Sequence, residues 1–419
     1  MRLSAANLDM IAGSAHVEFP PKSALHLPVK VLQFGTGVLL RALPDYFIDK
    51  ANRAGIFNGR IAVVKSTASG GIEDFVSQDN LYTLSVRGMD RGANVEENIV
   101  CSAIATVIDA NTSWQNVLSL AHEPDLGIII SNTTEVGLTL VEEKIDLSPP
   151  SSFPAKLLAF LLERYKAFHG SKGSGMVIIP TELLAGNGDR LLEIVLALIR
   201  FNELPPVFEE WVRDSNVFCN SLVDRIVPGR LQGDEKRRLE EKIGYTDELM
   251  IIAEPYRLWA IECPNKDAGK RLSFAGADAG VIVVPDITKY RELKLRLLNG
   301  THTLSCGLAV LCGFKTVIDG MQDVAMSAYV QRVCRQEIAT AISGELITRH
   351  DATGYAAQVI ERFSNPVIQH PWINITLQYS SKMKARNVPV LLAYYGKGTA
   401  PAPPEAISLG FAAFILFMR

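Results

Sequence analysis

Short apolar runs alternate with amphipathic stretches through roughly the first two thirds of the chain. The runs Val29 to Gln33, Arg60 to Lys65, Leu126 to Ser131, Gly175 to Pro180, Met250 to Ala253 and Gly280 to Val284 are brief and rich in Val and Ile. Such runs, bounded by turn formers, read as strands buried on both faces. Strands alternating with helical periods predict an α/β fold with a doubly wound parallel sheet. After Pro285-Asp286 the strand signals nearly stop, and Lys289 to Cys312 and segments within Thr316 to Ile347 and Tyr355 to Phe363 read as helices. The expected organisation is therefore an α/β domain over 1–286 and a mainly α-helical domain over 287–419. The apolar run Ala406 to Met418 is 13 residues long, too short to span a bilayer, and reads as a buried helix. The Pro-rich stretch Gly398 to Pro404 reads as a local loop.

Composition narrows the function classes. A chain of 419 residues, 48% hydrophobic and 21% charged, can bury a large core and suits two domains. Its net charge of −3 gives no electrostatic reason to expect nucleic acid or an anionic membrane as a partner. The cysteines at 101, 219, 263, 306, 312 and 334 form no C-x-x-C and no zinc-type spacing, which fits reduced thiols in the cytoplasm. The start, Met1-Arg-Leu-Ser, lacks the apolar stretch of a secretory signal.

Two places carry chemistry. The first is Val31-Leu-Gln-Phe34 running into Gly35-Thr-Gly37, after which Arg41 opens an amphipathic segment, Ala42 to Ala54. Strand, G-x-G turn and helix in that order begin a dinucleotide-binding, Rossmann-like fold, since the first glycine permits the tight turn and the second lets the backbone approach a pyrophosphate. Leu40 stands where the fingerprint would have its third glycine, so the helix is expected to pack more loosely or at another angle. The second place is Lys294, Asn299 and His302, spaced K-x4-N-x2-H. At about 100° per residue they fall within about 140° of arc on a helix and can face one pocket. A lysine whose pKa is lowered serves as general acid or base, and an amide donor beside it suits carbonyl chemistry.

Several further motifs accompany these: Gln78-Asp-Asn-Leu-Tyr-Thr83 with Arg87-Gly88, Ser131-Asn-Thr-Thr-Glu135, Asn187-Gly188-Asp189, Glu254-Pro-Tyr256 with Trp259, and Glu361-Arg-Phe-Ser-Asn-Pro366. Together with Gln33 to Gly37 and Lys294 to His302, in this order, they resemble the polyol-specific long-chain dehydrogenases and reductases. This is the mannitol 2-dehydrogenase and fructuronate reductase group, and the resemblance is strongest to its tagaturonate-reducing branch. Members of the group generally continue past the equivalent of Arg419, so the helical domain is expected to be cut short here.

The resemblance implies a metal-independent reduction of D-tagaturonate to D-altronate with NADH, reversible, with Lys294 as acid/base. Asn299 and Asn187 would hold the reacting oxygen, although Asn187-Gly188 by itself reads as a turn pair. His302 would orient Lys294 or bind a substrate hydroxyl, with a packing histidine as the equal alternative. Amide N–H groups aimed at a ketone oxygen stabilise the charge that builds there during hydride transfer. On the cofactor side, Phe34, Gly35, Thr36, Gly37 and Arg41 line the turn, and Thr133, Thr134 and Glu135 follow a strand end toward the nicotinamide ribose. No acid stands after the second strand to bind a ribose 2′-hydroxyl, and Lys65 there would favour a 2′-phosphate, against the NAD that the resemblance implies. A uronate carboxylate calls for a cation, with Arg362, Lys382 and Arg257 as candidates, and Asn365 and His370 are placed to take hydroxyls. The expected partner is a small sugar acid, and the protein a monomer or homodimer. Competing readings are a fructuronate or hexitol enzyme of the same group, a β-hydroxyacid dehydrogenase that also pairs lysine with asparagine, and a non-catalytic dinucleotide or sugar-acid sensor.

Overall fold

A computed structural model describes residues 1–13, 16–67, 70–133, 135–396 and 403–419. Thr134 and most of the Gly398 to Pro404 loop lie outside the described residues. The chain forms two compact units, one of Met1–Val86 with Glu96–Ile287, the other of Arg87–Val95 with Thr288–Arg419.

Thirteen strands are named in chain order. They are β1 (Val29–Phe34), β2 (Arg60–Lys65), β3 (Tyr82–Asp90), β4 (Ala93–Cys101), β5 (Ile104–Asp109), β6 (Ile128–Ser131), β7 (Val177–Pro180), β8 (Val217–Phe218), β9 (Asn220–Asp224), β10 (Gly229–Arg230), β11 (Ile251–Ala253), β12 (Leu258–Glu262) and β13 (Val281–Val284). The main sheet has the order β5-β2-β1-β6-β7-β8, and every pairing in it is parallel. Numbered within the sheet this is 3-2-1-4-5-6, the doubly wound Rossmann order, with its topological switch between β1 and β6. Helices Ala110–Ser119, Phe153–Ala167, Asn187–Phe201 and Pro206–Ser215 bury Trp114, Leu158, Phe160, Leu191, Phe208 and Trp211 into one core with Leu32, Ile129 and Ile178 of the strands.

Two expected strands fall elsewhere. The strand at Met250 to Ala253 becomes β11 in a second sheet, β10-β11-β3-β4, and the one at Gly280 to Val284 becomes β13 in a third, β13-β12-β9. The segment after the G-x-G turn is also not one helix. A five-residue helix, Val38–Ala42, ends at Leu43 (φ −131°, ψ −80°), and a second runs Pro44–Arg53. Pro44 supplies no N–H and drives the residue before it out of helical conformation.

The second unit is helical apart from the β3–β4 hairpin tip. Arg91 (φ 51°) and Gly92 (φ 78°) make its tight turn, and Gly92 N donates to Glu361 Oε1 at 2.6 Å. Helical backbone runs from Thr288 to Leu311, but not as α-helix throughout: residues Lys294–Gly300 form a π-turn between Thr288–Leu293 and Thr301–Leu311. Of the two other π-turns among the described residues, Arg332–Ile338 and Met383–Asn387, the latter lies against it, where Gly300 leaves no room for a Cβ beside Asn387 Oδ1 and Arg296 Nη1 donates to Ala385 O (2.6 Å) and Arg386 O (3.1 Å). The helix Glu405–Phe417 is held at its start by Glu337, whose carboxylate accepts from Ala406 N (3.0 Å) and Ile407 N (2.8 Å). Among the described residues no helix is long and apolar enough to cross a membrane.

Candidate active site

In the first unit the G-x-G turn sits at the sheet's switch point. Gly35 has φ +125°, closed to most side chains, and a Cβ there would stand 2.9 Å from Leu40 Cδ1 and 3.0 Å from Asn132 O. The turn after β1 and the loop after β6 therefore nearly touch. Leu40 fills the space against Gly35, and the short helix it belongs to is what the missing third glycine produces. Gly37 is exposed, with open space where a Cβ would stand, as close approach of a ligand to the backbone requires. Half-buried Thr36 lies between them. If the turn holds a dinucleotide, Gly35→Ala is expected to weaken that binding by about tenfold or more, and in any case to lower stability by about 1–3 kcal/mol, read by fluorescence titration and thermal melting.

Loop β6 is held by a residue not expected from sequence. Glu182, two residues past β7, accepts from Thr133 N (2.8 Å) and Thr133 Oγ1 (3.0 Å) through one oxygen, and from Ser131 Oγ (3.2 Å) through the other. An acid directly after a parallel strand, at its carboxyl end, is the signal that would have found it. Glu135 opens a short 3-10 turn, Glu135–Leu138.

Five residues expected at the site have other work. Phe34 turns its ring into the core against Phe153, centroids 5.1 Å apart, leaving only its backbone at the turn. Arg41 is buried, its Nη1 donating to Leu249 O at 2.5 Å and its guanidinium 5.3 Å from the Tyr82 ring centroid, so it braces the core. Lys65 is buried at the end of β2, donating to Thr67 O (2.6 Å) and pairing with Asp109 (2.9 Å). Its charge is already matched. Arg257 grips Asp278 through Nε (2.9 Å) and Nη2 (2.8 Å) and donates to Pro255 O (2.9 Å) through Nη1. Asn187 is fully buried, its Nδ2 among Pro180 O (3.0 Å), Glu182 O (3.0 Å) and Ser221 O (3.1 Å). An amide has two N–H donors, so none is left for a substrate oxygen, and Asn187 braces the turn carrying Glu182.

The second unit assembles the other cluster. A π-turn has i→i+5 bonding and roughly 4.4 residues per turn, about 82° each, so Lys294 and Asn299 stand only about 50° apart. That is tighter than the α-helical spacing predicted. Both are half-buried, and Asn299 O accepts from Thr303 Oγ1 at 2.7 Å. His302 follows, buried, its ring stacked on Phe363 (centroids 3.9 Å) and edge-on to His370 (5.3 Å) and Trp372 (6.2 Å).

Around that ring the charge is one-sided. Burial, then His370, Arg362, Arg386 and Lys382, hold the His302 pKa well below its ordinary value. Burial and Lys382 lower His370, burial and Arg386 lower Lys382, and burial lowers Arg386. No carboxylate figures among the charged groups acting on these four. Lys382 Nζ donates to Ile375 O (3.0 Å) and Arg386 Nη1 to Thr303 Oγ1 (3.0 Å). Arg386 was not expected from sequence, although Lys382 and Arg386 are four apart on one helical face. Asn365 is buried, its Oδ1 accepting from Val367 N at 3.0 Å, and its amide lies over Gly88 (φ +144°), where a side chain would overlap it. Histidines held neutral in the fold destabilise it in acid: the unfolded chain protonates near pH 6.5, the folded chain only lower. Stability should thus be level above about pH 6.5 and fall below it, and His302→Phe should flatten that slope in melting curves between pH 7 and 5.

Residues 29–273 match the Mannitol dehydrogenase Rossmann domain and residues 286–419 the Mannitol dehydrogenase C-terminal domain. The chain belongs to the mannitol dehydrogenase family. It is an oxidoreductase of the polyol and sugar-acid kind. It is 39% identical to an altronate oxidoreductase of Bacillus subtilis over 392 residues, 93% of this chain and 80% of that one. A second altronate oxidoreductase, of Halalkalibacterium halodurans, is 37% identical over 94% of this chain and 76% of its own. Among solved structures, D-sorbitol dehydrogenase in substrate-free form shares the fold with a TM-score of 0.84 at 22% identity, over 100% of this chain and 85% of that one. Pseudomonas fluorescens mannitol 2-dehydrogenase, in a ternary complex with NAD and D-mannitol, does so with 0.75 at 23%, over 100% and 84%.

Proposed function

We propose that this family member is an NAD-dependent reductase of keto-uronates, interconverting D-tagaturonate and D-altronate with Lys294 as proton carrier. The observation that carries the reading is the convergence of Lys382, Arg386 and Arg362 on buried His302, a few residues from Lys294 and Asn299, with no carboxylate among the charged groups that act on His302, His370, Lys382 or Arg386. A neutral hexitol gives such a cluster nothing to neutralise, whereas a sugar acid brings one carboxylate. The altronate oxidoreductases among the relatives agree with it.

The open turn at Gly35 to Gly37 fits a dinucleotide, and Gly35, Thr36, Gly37 and Thr133 are the residues that would hold it. A nicotinamide dinucleotide supplies the hydride. Lys65, paired with Asp109, offers no unneutralised charge to a 2′-phosphate, which favours NAD over NADP. Asn299 steadies the ketone oxygen as negative charge grows on it, and protonated Lys294 delivers the proton that completes the alcohol. In the reverse direction neutral Lys294 takes the hydroxyl proton. Arg386 and Arg362 anchor the carboxylate, with neutral His302 and Asn365 disposed toward hydroxyls.

The test is loss of NADH and NADPH absorbance with tagaturonate, fructuronate and fructose side by side. Fast oxidation of NADH with tagaturonate is expected. Preference for fructuronate would move the substrate within the uronates, and preference for fructose would sink the role given to the cationic cluster.

A further inference from the structure

Cys219 and Cys263 each lie one residue beyond the end of a pair of antiparallel strands. β9 pairs with β12 so that Asn220 faces Glu262, and continuing that register one residue past the strand ends sets Cys219 opposite Cys263. Their N–H groups point away from each other, Cys219 N to Ile178 O (2.8 Å) and Cys263 N to Val284 O (2.9 Å). This is therefore a non-hydrogen-bonded position, where Cα atoms stand about 4.5 Å apart and side chains are closest. That spacing lies inside the range a disulfide spans, about 4.4–6.8 Å. The neighbouring Cys219 thiol pulls the Cys263 thiol down to about 7 while Cys219 itself is raised, and Cys263 Sγ donates to Asn265 O at 3.4 Å. Cys219 is fully buried, whereas Cys263 is 7% exposed, giving a small oxidant one point of entry.

Movement of Cys219 would not stay local. A Cβ on Gly188 would stand 2.5 Å from Cys219 C and O, so the two backbones are in tight contact. Asn220 Oδ1 accepts from Gly188 N (3.0 Å) and Asp189 N (3.1 Å), and Asn187 Oδ1 accepts from Ser221 N (2.8 Å) while its amide holds Glu182 O. Glu182 in turn holds Thr133.

We infer that Cys219 and Cys263 form a reversible disulfide on exposure to a hydroperoxide, and that closing it loosens the Thr133 loop and weakens dinucleotide binding; the second half rests on reading that loop as part of the cofactor site. The Cys263 thiolate attacks the peroxide, forming an S–O bond as O–O breaks and, with hydrogen peroxide, releasing one water after protonation. The Cys219 sulfur then attacks the sulfenic acid, forming S–S and expelling a second water that carries away its proton. Two thiols are oxidised and one peroxide is reduced. The sulfurs close to about 2.05 Å, dragging on the Cys219 backbone.

The experiment uses the full chain carrying Cys312→Ser, which removes the exposed thiol, treated with hydrogen peroxide. Expected are the loss of two hydrogens in the intact mass, a non-reduced peptide joining Cys219 to Cys263, and NADH binding weakened by about tenfold, all restored by dithiothreitol. Cys219→Ser should abolish the cross-link and keep NADH binding insensitive to peroxide. Oxygen added to other cysteines with no Cys219–Cys263 peptide would overturn the pair. A cross-link that leaves NADH affinity unchanged would overturn the coupling. A cross-link in a protein that never binds NADH, reduced or oxidised, upholds the pair and rejects the cofactor reading instead.

Discussion

Lys294→Ala is expected to lower kcat for tagaturonate reduction by about 10³-fold while leaving NADH affinity unchanged, because in the proposed mechanism the residue serves only the proton step. Asn299→Ala is expected to lose about 10²-fold, the usual effect of deleting one donor to a developing oxyanion. The two should not add, since without the proton carrier the oxyanion has nowhere to go, and the double variant should fall close to Lys294→Ala alone. Steady-state kinetics alongside NADH titration separates these effects. Turnover within tenfold of wild type for Lys294→Ala would remove that lysine from the mechanism.

The parts of this architecture that were legible in the sequence are those whose pattern is local. β6 and β7 are buried on both faces and read as apolar runs, and the buried stretches of β1 and β2 carry enough Val, Leu and Ile to read the same way. β3 and β4 were not legible. Thr83, Ser85 and Arg87 interleave with the apolar residues of β3, and β4 begins with five mostly exposed positions before its buried end. β5, which completes the main sheet, carries Thr106 and Asp109 and reads as loop, and β8 and β10 have two residues each. At the site, the spacing of Lys294, Asn299 and His302 was readable but the helix type was not, because a π-turn is imposed by what packs on it, here Asn387 and the Arg296 bonds to the Met383–Asn387 turn. Cations misled for a related reason. Arg41 is committed to a carbonyl 208 residues away and Lys65 to an acid 44 residues away, and no window of sequence contains both partners. Arg386 was overlooked and Arg257 chosen because a basic residue reveals its role only through its neighbours.

Arg386→Ala is expected to raise KM for tagaturonate by about 10- to 100-fold with kcat changed far less. A hydrogen bond to a charged group is worth about 1.5–3 kcal/mol, and each 1.4 kcal/mol is tenfold. The effect should appear in KM because a remote carboxylate is bound about equally in ground and transition states. Fructose, which has no carboxylate, supplies the control: its KM should move by less than about threefold. Arg386→Lys should fall between, keeping the charge but losing the planar fork that matches a carboxylate. Folding should tolerate the truncation, because Thr303 Oγ1, the acceptor of Arg386 Nη1, retains its own bond to Asn299 O. The same substitution should let the His302 pKa rise toward the ordinary range, since one of the cations lowering it is gone, while His370, on which Arg386 does not act, stays where it is. NMR titration of the histidine ring protons reads this directly. Equal losses with tagaturonate and fructose, without any histidine shift, would make Arg386 a packing residue and leave carboxylate binding to Arg362 and Lys382. Loss confined to the uronate, with His302 titrating higher, would tie substrate choice to the Arg386 charge beside His302.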